Sequence, residues 1–548
     1  MIRKLGVFLL GIIPPLMFAY FCFYHTQNLV IFDDYTMVAG AFLGELKAST
    51  ISEKLTALFA QHNEYRFPIL TLMSMFQYKV FGQIHFNYYP YIGDFSLLGL
   101  YLVVYSTFRR VQSSSKLLPM VYLMFPLHIY IIITWANSSC QYLWALFYSI
   151  WTVYLLLQKN SKWNYLAFGT VLMGIFSFGS GIFALPLGAV ILLVERKYKL
   201  LFAWLTYAAI IVGFYFHGYQ KQPFIELGLK TFQEHPTYIP LGFLYIWGGW
   251  ADLSLSALSF WKATIPGIAG FLTLLLVFYV LWKSFLNMRL KDQTTHFVAS
   301  FTFYTLGYLL FTTSVIAFGR TGSDPEFTML VSNHRYYAFM ALALVYGYFV
   351  MNVRFAHFAK IALGFSMAIF FLGYAKFWGL MSSRAKLLAA VTFNHYYDGV
   401  PPTHPHYNPF YFIKKTNDSL MNHYNAYVFP ATPLHKEWKA FAEKPTFEKD
   451  TLTLQSIVTD STLTLNGNNL EQSGLHGTYY LLKSKEHLFV YNPSRVQLAS
   501  RKPYLQSSEY NTIIPKGELY KGSYDLILCN YQNSEAKYYK TNLKWNIL

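Results

Sequence analysis

A chain of 548 residues has room for two or three soluble domains, but 54% hydrophobic and 13% charged residues with a mean hydropathy of +0.30 exclude a purely soluble protein. The formal net charge of +17 raises nucleic acid as a partner. Its distribution excludes that reading, because many Lys and Arg residues mark short loops between apolar segments, the pattern of cytoplasmic loops in membrane proteins.

The N-terminal Met1-Ile2-Arg3-Lys4 precedes an apolar run from Leu5 to Tyr24. Pro14, Pro15, the length of the run and the lack of a small-residue cleavage site predict an uncleaved first span rather than a signal peptide. Ten further apolar windows follow, near residues 90–108, 117–135, 141–157, 164–178, 181–195, 199–217, 262–284, 297–318, 336–352 and 358–380, which makes eleven predicted spans. With Arg3 and Lys4 in the cytoplasm, every loop on their side is basic, from Arg109-Arg110 to Lys116 through Asn352 to Lys360. Ile69 to Phe81 is apolar but short, and counting it as a span would put Arg109, Arg110 and Lys116 outside. It is therefore read as an interfacial or partly buried helix.

An odd number of spans places everything after about residue 380 outside the cytoplasm. The predicted organisation is an α-helical polytopic membrane domain over 1–380, with a first outer loop at 25–89, and an extracytoplasmic mixed α/β or mainly β domain over 381–548. Tyr396 to Asn408 reads as a Pro-rich linker, with His404 and His406 of His404-Pro405-His406 as a metal pair the alternative. A helix is expected around Leu434 to Glu443, and antiparallel strands over Thr451 to Val458, Ser461 to Asn466, Thr478 to Leu482, Leu488 to Tyr491, Tyr524 to Cys529 and Lys537 to Leu543. Cys22, Cys140 and Cys529 are too scattered to draw a disulfide framework.

The first outer loop carries most of the candidate chemistry. It reads Phe32-Asp33-Asp34-Tyr35, then two short amphipathic helices over Met37 to Lys47 and Ile51 to His62, then Gln61-His62-Asn63-Glu64-Tyr65-Arg66-Phe67-Pro68. Paired carboxylates flanked by aromatic residues just beyond a membrane face make a candidate general base that removes the proton of an acceptor hydroxyl. A second polar segment lies between the ninth and tenth spans, with Arg320, Asp324, Glu326, His334, Arg335 and Tyr336. An Arg beside lipid needs an anionic partner. That partner is a phosphate, whose oxygens match the guanidinium fork, or a structural acid such as Asp324 or Glu326. His62, His85 and His334 lack metal-ligand spacing, and Asn137-Ser138-Ser139 and Asn417-Asp418-Ser419 match a glycosylation acceptor pattern.

An acidic residue just after the first span, two surface helices, Pro68 before an apolar helix ending in Phe81-Gly82, and a span ending in Arg109-Arg110 together resemble the GT-C superfamily of lipid-phosphate-sugar glycosyltransferases. The chain is most similar to the branch with protein O-mannosyltransferases and aminoarabinose transferases. The resemblance implies Asp33 or Asp34 as catalytic base with Glu64 as a second acidic residue, and a polyprenyl-phosphate-linked sugar as donor. It departs from the branch at Phe67-Pro68-Ile69, where Pro-Pro-Leu is common. It also departs at Trp135-Ala136-Asn137-Ser138-Ser139, where oligosaccharyltransferase-like relatives carry a metal-binding acidic pair, so a divalent metal is a minor alternative.

The expected activity is inverting transfer to a hydroxyl of a glycan, lipid or protein acceptor. Arg335 and Arg320 would hold the donor phosphate, and His62, Asn63, Tyr65, Arg66, Asp324, His334 and Tyr336 would contact donor or acceptor. No nucleotide cofactor and no nucleic acid are expected, and a bacterial inner membrane is the expected location. The competing classes are a transporter or flippase of a lipid-linked glycan and an O-antigen-type polymerase or ligase.

Overall fold

The computed structural model describes residues 2–31, 33–220, 224–253, 259–290, 292–322, 325–352, 357–398, 416, 419–428, 432–452, 454–459, 462–468, 472–473, 475–495, 509–515 and 519–547. Among them, six helices are long and apolar enough to cross a membrane: Leu5–His25, Tyr88–Arg109, Tyr198–Phe216, Ala263–Asn287, Gln293–Arg320 and Phe358–Asn394.

Helix α1 (Ile2–His25) leads into the first loop. There a π-helical turn, Tyr35–Gly40, runs into α2 (Ala41–Lys47), followed by α3 (Ile51–Leu58). Thr50 and Glu53 start α3 with a reciprocal capping box. The helix expected to reach His62 stops at Leu58, and β1 (Gln61–His62) pairs with β2 (Tyr65–Arg66) in a hairpin. Asn63, at φ +52°, takes a left-handed turn position that Asn tolerates better than most residues.

Helix α4 (Pro68–Phe81) starts on a Pro whose missing N–H costs nothing in the first turn, and ends at Gly82, which takes the left-handed conformation. Its 14 residues reach only about 21 Å. Leu70, Thr71, Ser74 and Gln77 are buried while Leu72, Phe76 and Val80 are exposed, so α4 is the partly buried helix anticipated for Ile69 to Phe81.

Helix α5 (Tyr88–Arg109) follows. The window at 117–135 is not a continuous helix, contrary to expectation. Helix α6 (Leu118–Met124) stops at Phe125-Pro126, and the chain goes on through short 3-10 turns, Leu127–Ile129 and Ile132–Thr134, to α7 (Ala136–Ser138). Pro126 cannot donate to the preceding turn and crowds it. The irregular backbone is tolerated because the residues from Leu127 to Ile129 and from Ile132 to Thr134 are buried in protein.

Then come α8 (Trp144–Leu156), α9 (Ser161–Ile175), α10 (Ala184–Val194), α11 (Tyr198–Phe216), α12 (Phe224–Glu234), α13 (Tyr238–Gly248), α14 (Ser259–Asn287), α15 (Gln293–Arg320), α16 (Pro325–Met329), α17 (Ser332–Asn352) and α18 (Phe358–Asp398). Helices α12 and α13 fill what the sequence reads as a loop between His217 and Lys262. Helix α18 does not end near residue 380, and its Ala390 and Phe393 enter the core of the C-terminal domain.

That domain contains α19 (Pro433–Glu443), close to the expected helix. Its strands are β3 (Thr451–Leu452), β4 (Gln455–Val458), β5 (Thr462–Asn468), β6 (Gln472–Ser473), β7 (His476–Lys483), β8 (Leu488–Tyr491), β9 (Ser494–Arg495), β10 (Glu509–Pro515), β11 (Gly522–Gln532) and β12 (Glu535–Ile547). They form a sheet of order β3-β12-β11-β7-β6, with β8 also on β7, and a sheet of order β4-β5-β10-β9. Pairing is antiparallel except between β3 and β12. His404 and His406 lie outside the described residues.

Arg320, at the end of α15, meets Glu64, and the Tyr427 hydroxyl donates to the Asn28 carbonyl at 3.1 Å. The first loop, the end of α15 and the segment entering the C-terminal domain therefore share one side, called here the first-loop face.

Candidate active site

The adjacent carboxylates diverge. Asp34 is fully buried, its Oδ1 accepting from the Asn137 amide at 2.8 Å and its Oδ2 from the Ile31 amide at 3.3 Å. The Trp135 side chain and Arg384 of α18 also interact with Asp34 electrostatically. Burial pushes the Asp34 carboxyl well above the usual carboxylate range, against the pull of those donors. The break at Pro126 is what brings Trp135 and Asn137 to Asp34. This carboxyl ties the first loop to the irregular segment and is closed to a substrate.

Asp33 is half-buried and takes part in the other cluster. Arg320 reaches Glu64 at 3.0 Å and the Tyr65 hydroxyl at 3.3 Å, its side chain 44% exposed against 20% for Glu64. The Tyr142 hydroxyl, near Asn333, lies within electrostatic reach of Arg320, Asp33 and Glu64. Phe178 lies 4.5 Å from the Tyr65 ring and 4.7 Å from the Tyr142 ring, and His334 meets Tyr142 edge-on at 6.4 Å. The result is an aromatic wall bearing one cation and two carboxylates.

Gly179 makes this wall possible, since a Cβ there would stand 2.7 Å from Tyr65 Cδ1. Gly179→Ala is expected to cost about 1–3 kcal/mol, the usual penalty of overpacking, read as a lower thermal midpoint in detergent.

Other residues singled out from the sequence have structural engagements. Asn63 forms the hairpin turn, and its carbonyl accepts from Gln61 Nε2 at 2.7 Å. Arg66 donates to the carbonyls of Tyr215 at 2.8 Å and His217 at 2.7 Å, and to that of Phe59, which anchors the hairpin to the end of α11. His62 pairs with Tyr65 across the hairpin, and burial lowers its imidazole pKa. The Tyr336 hydroxyl is buried and donates to the Met124 carbonyl at 3.5 Å.

Arg335 is a correction. It is buried and paired with Asp252 in a salt bridge, and it also donates to the Leu330 carbonyl at 2.7 and 3.0 Å and to the His128 carbonyl at 3.4 Å. Its guanidinium is committed on all three nitrogens, so phosphate binding does not fit it. Its acid among the described residues is Asp252. Asp324 lies outside the described residues. Asn137 is buried, with its Nδ2 on Met37 Sδ at 2.9 Å, which excludes it as a glycosylation acceptor, and Asn417 lies outside the described residues.

No family model, curated protein or solved structure matches the chain. Among the described residues, no group of three or more His, Cys, Asp and Glu side chains is arranged to hold a metal ion. Sequence reasoning missed Tyr142 and Arg384. Tyr142 is one of 46 Tyr residues, with no local signal to single it out. Arg384 falls in the stretch after residue 380 that the sequence assigns to the C-terminal domain.

Proposed function

We propose that the protein transfers a sugar from a polyprenyl-phosphate donor to an acceptor hydroxyl on the extracytoplasmic face of a bacterial inner membrane. This reading keeps an eleven-crossing topology with its basic loops in the cytoplasm, and makes the first-loop face the outer one. The observation that carries it is the Glu64–Arg320 pair on the Tyr65 hydroxyl at the end of membrane helix α15, with Asp33 within electrostatic reach of the neighbouring Tyr142.

In this mechanism Asp33 accepts the proton of the acceptor hydroxyl as its oxygen attacks the anomeric carbon. The bond from that carbon to the phosphate oxygen breaks, and its electron pair leaves with the lipid phosphate. Arg320 stabilises the charge that develops there. Glu64 is a positioning residue that sets the guanidinium, and the faces of Tyr65 and Tyr142 suit a sugar ring.

Mass spectrometry of the lipid that co-purifies with the protein tests the class. A polyprenyl-phosphate sugar is the expected result, and a lipid-linked glycan that is carried across but never transferred would favour the transporter. Arg320→Lys keeps the charge but loses the planar fork. It is expected to raise the donor KM by about tenfold or more, the loss of one charge-assisted hydrogen bond at about 1.5–3 kcal/mol, in steady-state kinetics.

A further inference from the structure

Helix α15 has a second periodicity that the site above does not use. Every fourth residue from its start reads His296, Ser300, Tyr304, Tyr308, Thr312, Ile316 and Arg320, polar at every step but one. Residues four apart form one ridge along a helix. Ser300, Tyr304, Tyr308 and Thr312 on this ridge are buried, and they cover about 18 Å of a hydrocarbon layer about 30 Å thick.

Polar groups at that depth are normally satisfied within their own helix. Thr302 and Thr313, off the ridge, follow the rule and donate to the carbonyls of Val298 at 2.8 Å and Leu309 at 2.7 Å. The hydroxyls of Ser300, Tyr304 and neighbouring Thr305 find no hydrogen-bond partner among the described residues. Farther along, Tyr308 donates to the Ser180 carbonyl at 3.3 Å, with the hydroxyls of Ser149 and Thr312 beside it.

The row has titratable groups at both ends. Opposite the first-loop face, His296 bonds Glu195 at 3.0 Å and the Met288 carbonyl at 2.6 Å. Lys197 and Tyr304 both interact electrostatically with Glu195. Toward the first-loop face, Tyr337 of α17 is within electrostatic reach of Tyr308, Tyr142 and Tyr65. Tyr142 in turn faces Asp33, Glu64 and Arg320.

We propose that this row conducts protons across the membrane, from the Glu195–His296 pair through Tyr304, Tyr308 and Tyr337 to Tyr142. A hydroxyl donates and accepts at once, so each can pass a proton on as it receives one. Buried hydroxyls without a protein partner are the groups that internal water bridges. The path is independent of the glycosyl-transfer reading and suits an enzyme or a carrier alike. Hydroxyls serving only to hold helices together would conduct nothing.

The test uses the full chain in liposomes enclosing a pH-sensitive dye, with a potassium gradient and valinomycin to drive protons. The protein is expected to change internal pH faster than protein-free vesicles do. Tyr304→Phe and Tyr308→Phe should lose most of that excess, and Thr302→Val should retain it. Glu195→Gln, at the less buried end, tests the path without altering the packed interior and should also slow the flux. Wild-type flux equal to that of empty vesicles, or undiminished flux in the two Phe variants and Glu195→Gln, overturns the proposal.

Discussion

Asp33→Asn is expected to lower turnover by about 10²–10⁴-fold, the contribution of a positioned general base, with little change in thermal midpoint. The two neighbours are separable because their carboxyls do different things. Asp34 has amide donors on both oxygens and no exposed surface. Asp33 is half-buried and shares the surroundings of Tyr142 with Glu64 and Arg320. Asp34→Asn replaces one acceptor by a donor facing an N–H group, at a cost of about 1–3 kcal/mol for the unsatisfied amide. It should act first on the thermal midpoint. Kinetics on the co-purified donor, with unfolding of both variants in detergent, separates the two effects. Full turnover by Asp33→Asn would remove it as the base.

The largest stability effect is expected from Asp252→Leu. A buried guanidinium left without its carboxylate costs about 3–5 kcal/mol, and Lys376, which also interacts with Asp252, would add repulsion. The Asp252→Leu/Arg335→Met double variant should recover much of that loss, since apolar replacement of a whole buried pair is often close to neutral. Unfolding of both variants and the wild type in one detergent measures the difference. If Arg335 instead served the donor phosphate, the double variant would fold well and lose turnover.

The helices were legible where apolar runs were long and unbroken, as over Leu5 to Tyr24 and 297–318. They were not legible at 117–135, where hydropathy is continuous but Pro126 interrupts the hydrogen-bond ladder. Asp33, Glu64 and Arg320 could be singled out because charges are rare in such a sequence. Their pairing could not, because Glu64 and Arg320 are 256 residues apart, as Arg335 and Asp252 are 83 apart. The ridge from His296 to Arg320 escaped because a hydropathy average over α15 hides single hydroxyls among Phe and Leu. In the C-terminal domain, β10 was overlooked because Glu509 to Pro515 mixes polar and apolar residues without clean alternation.

The 41 residues of α18 make a rod of about 62 Å. One end is set among apolar helices and the other, with Ala390 and Phe393, packs into the core of the C-terminal domain. Arg384 lies between them, opposite Asp34. The helix is continuous, so a displacement of the C-terminal domain would be carried past Arg384, beside the anchor of the first loop, to the apolar helices. Cutting the chain at residue 381 would break that continuity, leaving residues 358–381 in the apolar core and the rest of the rod with the C-terminal domain.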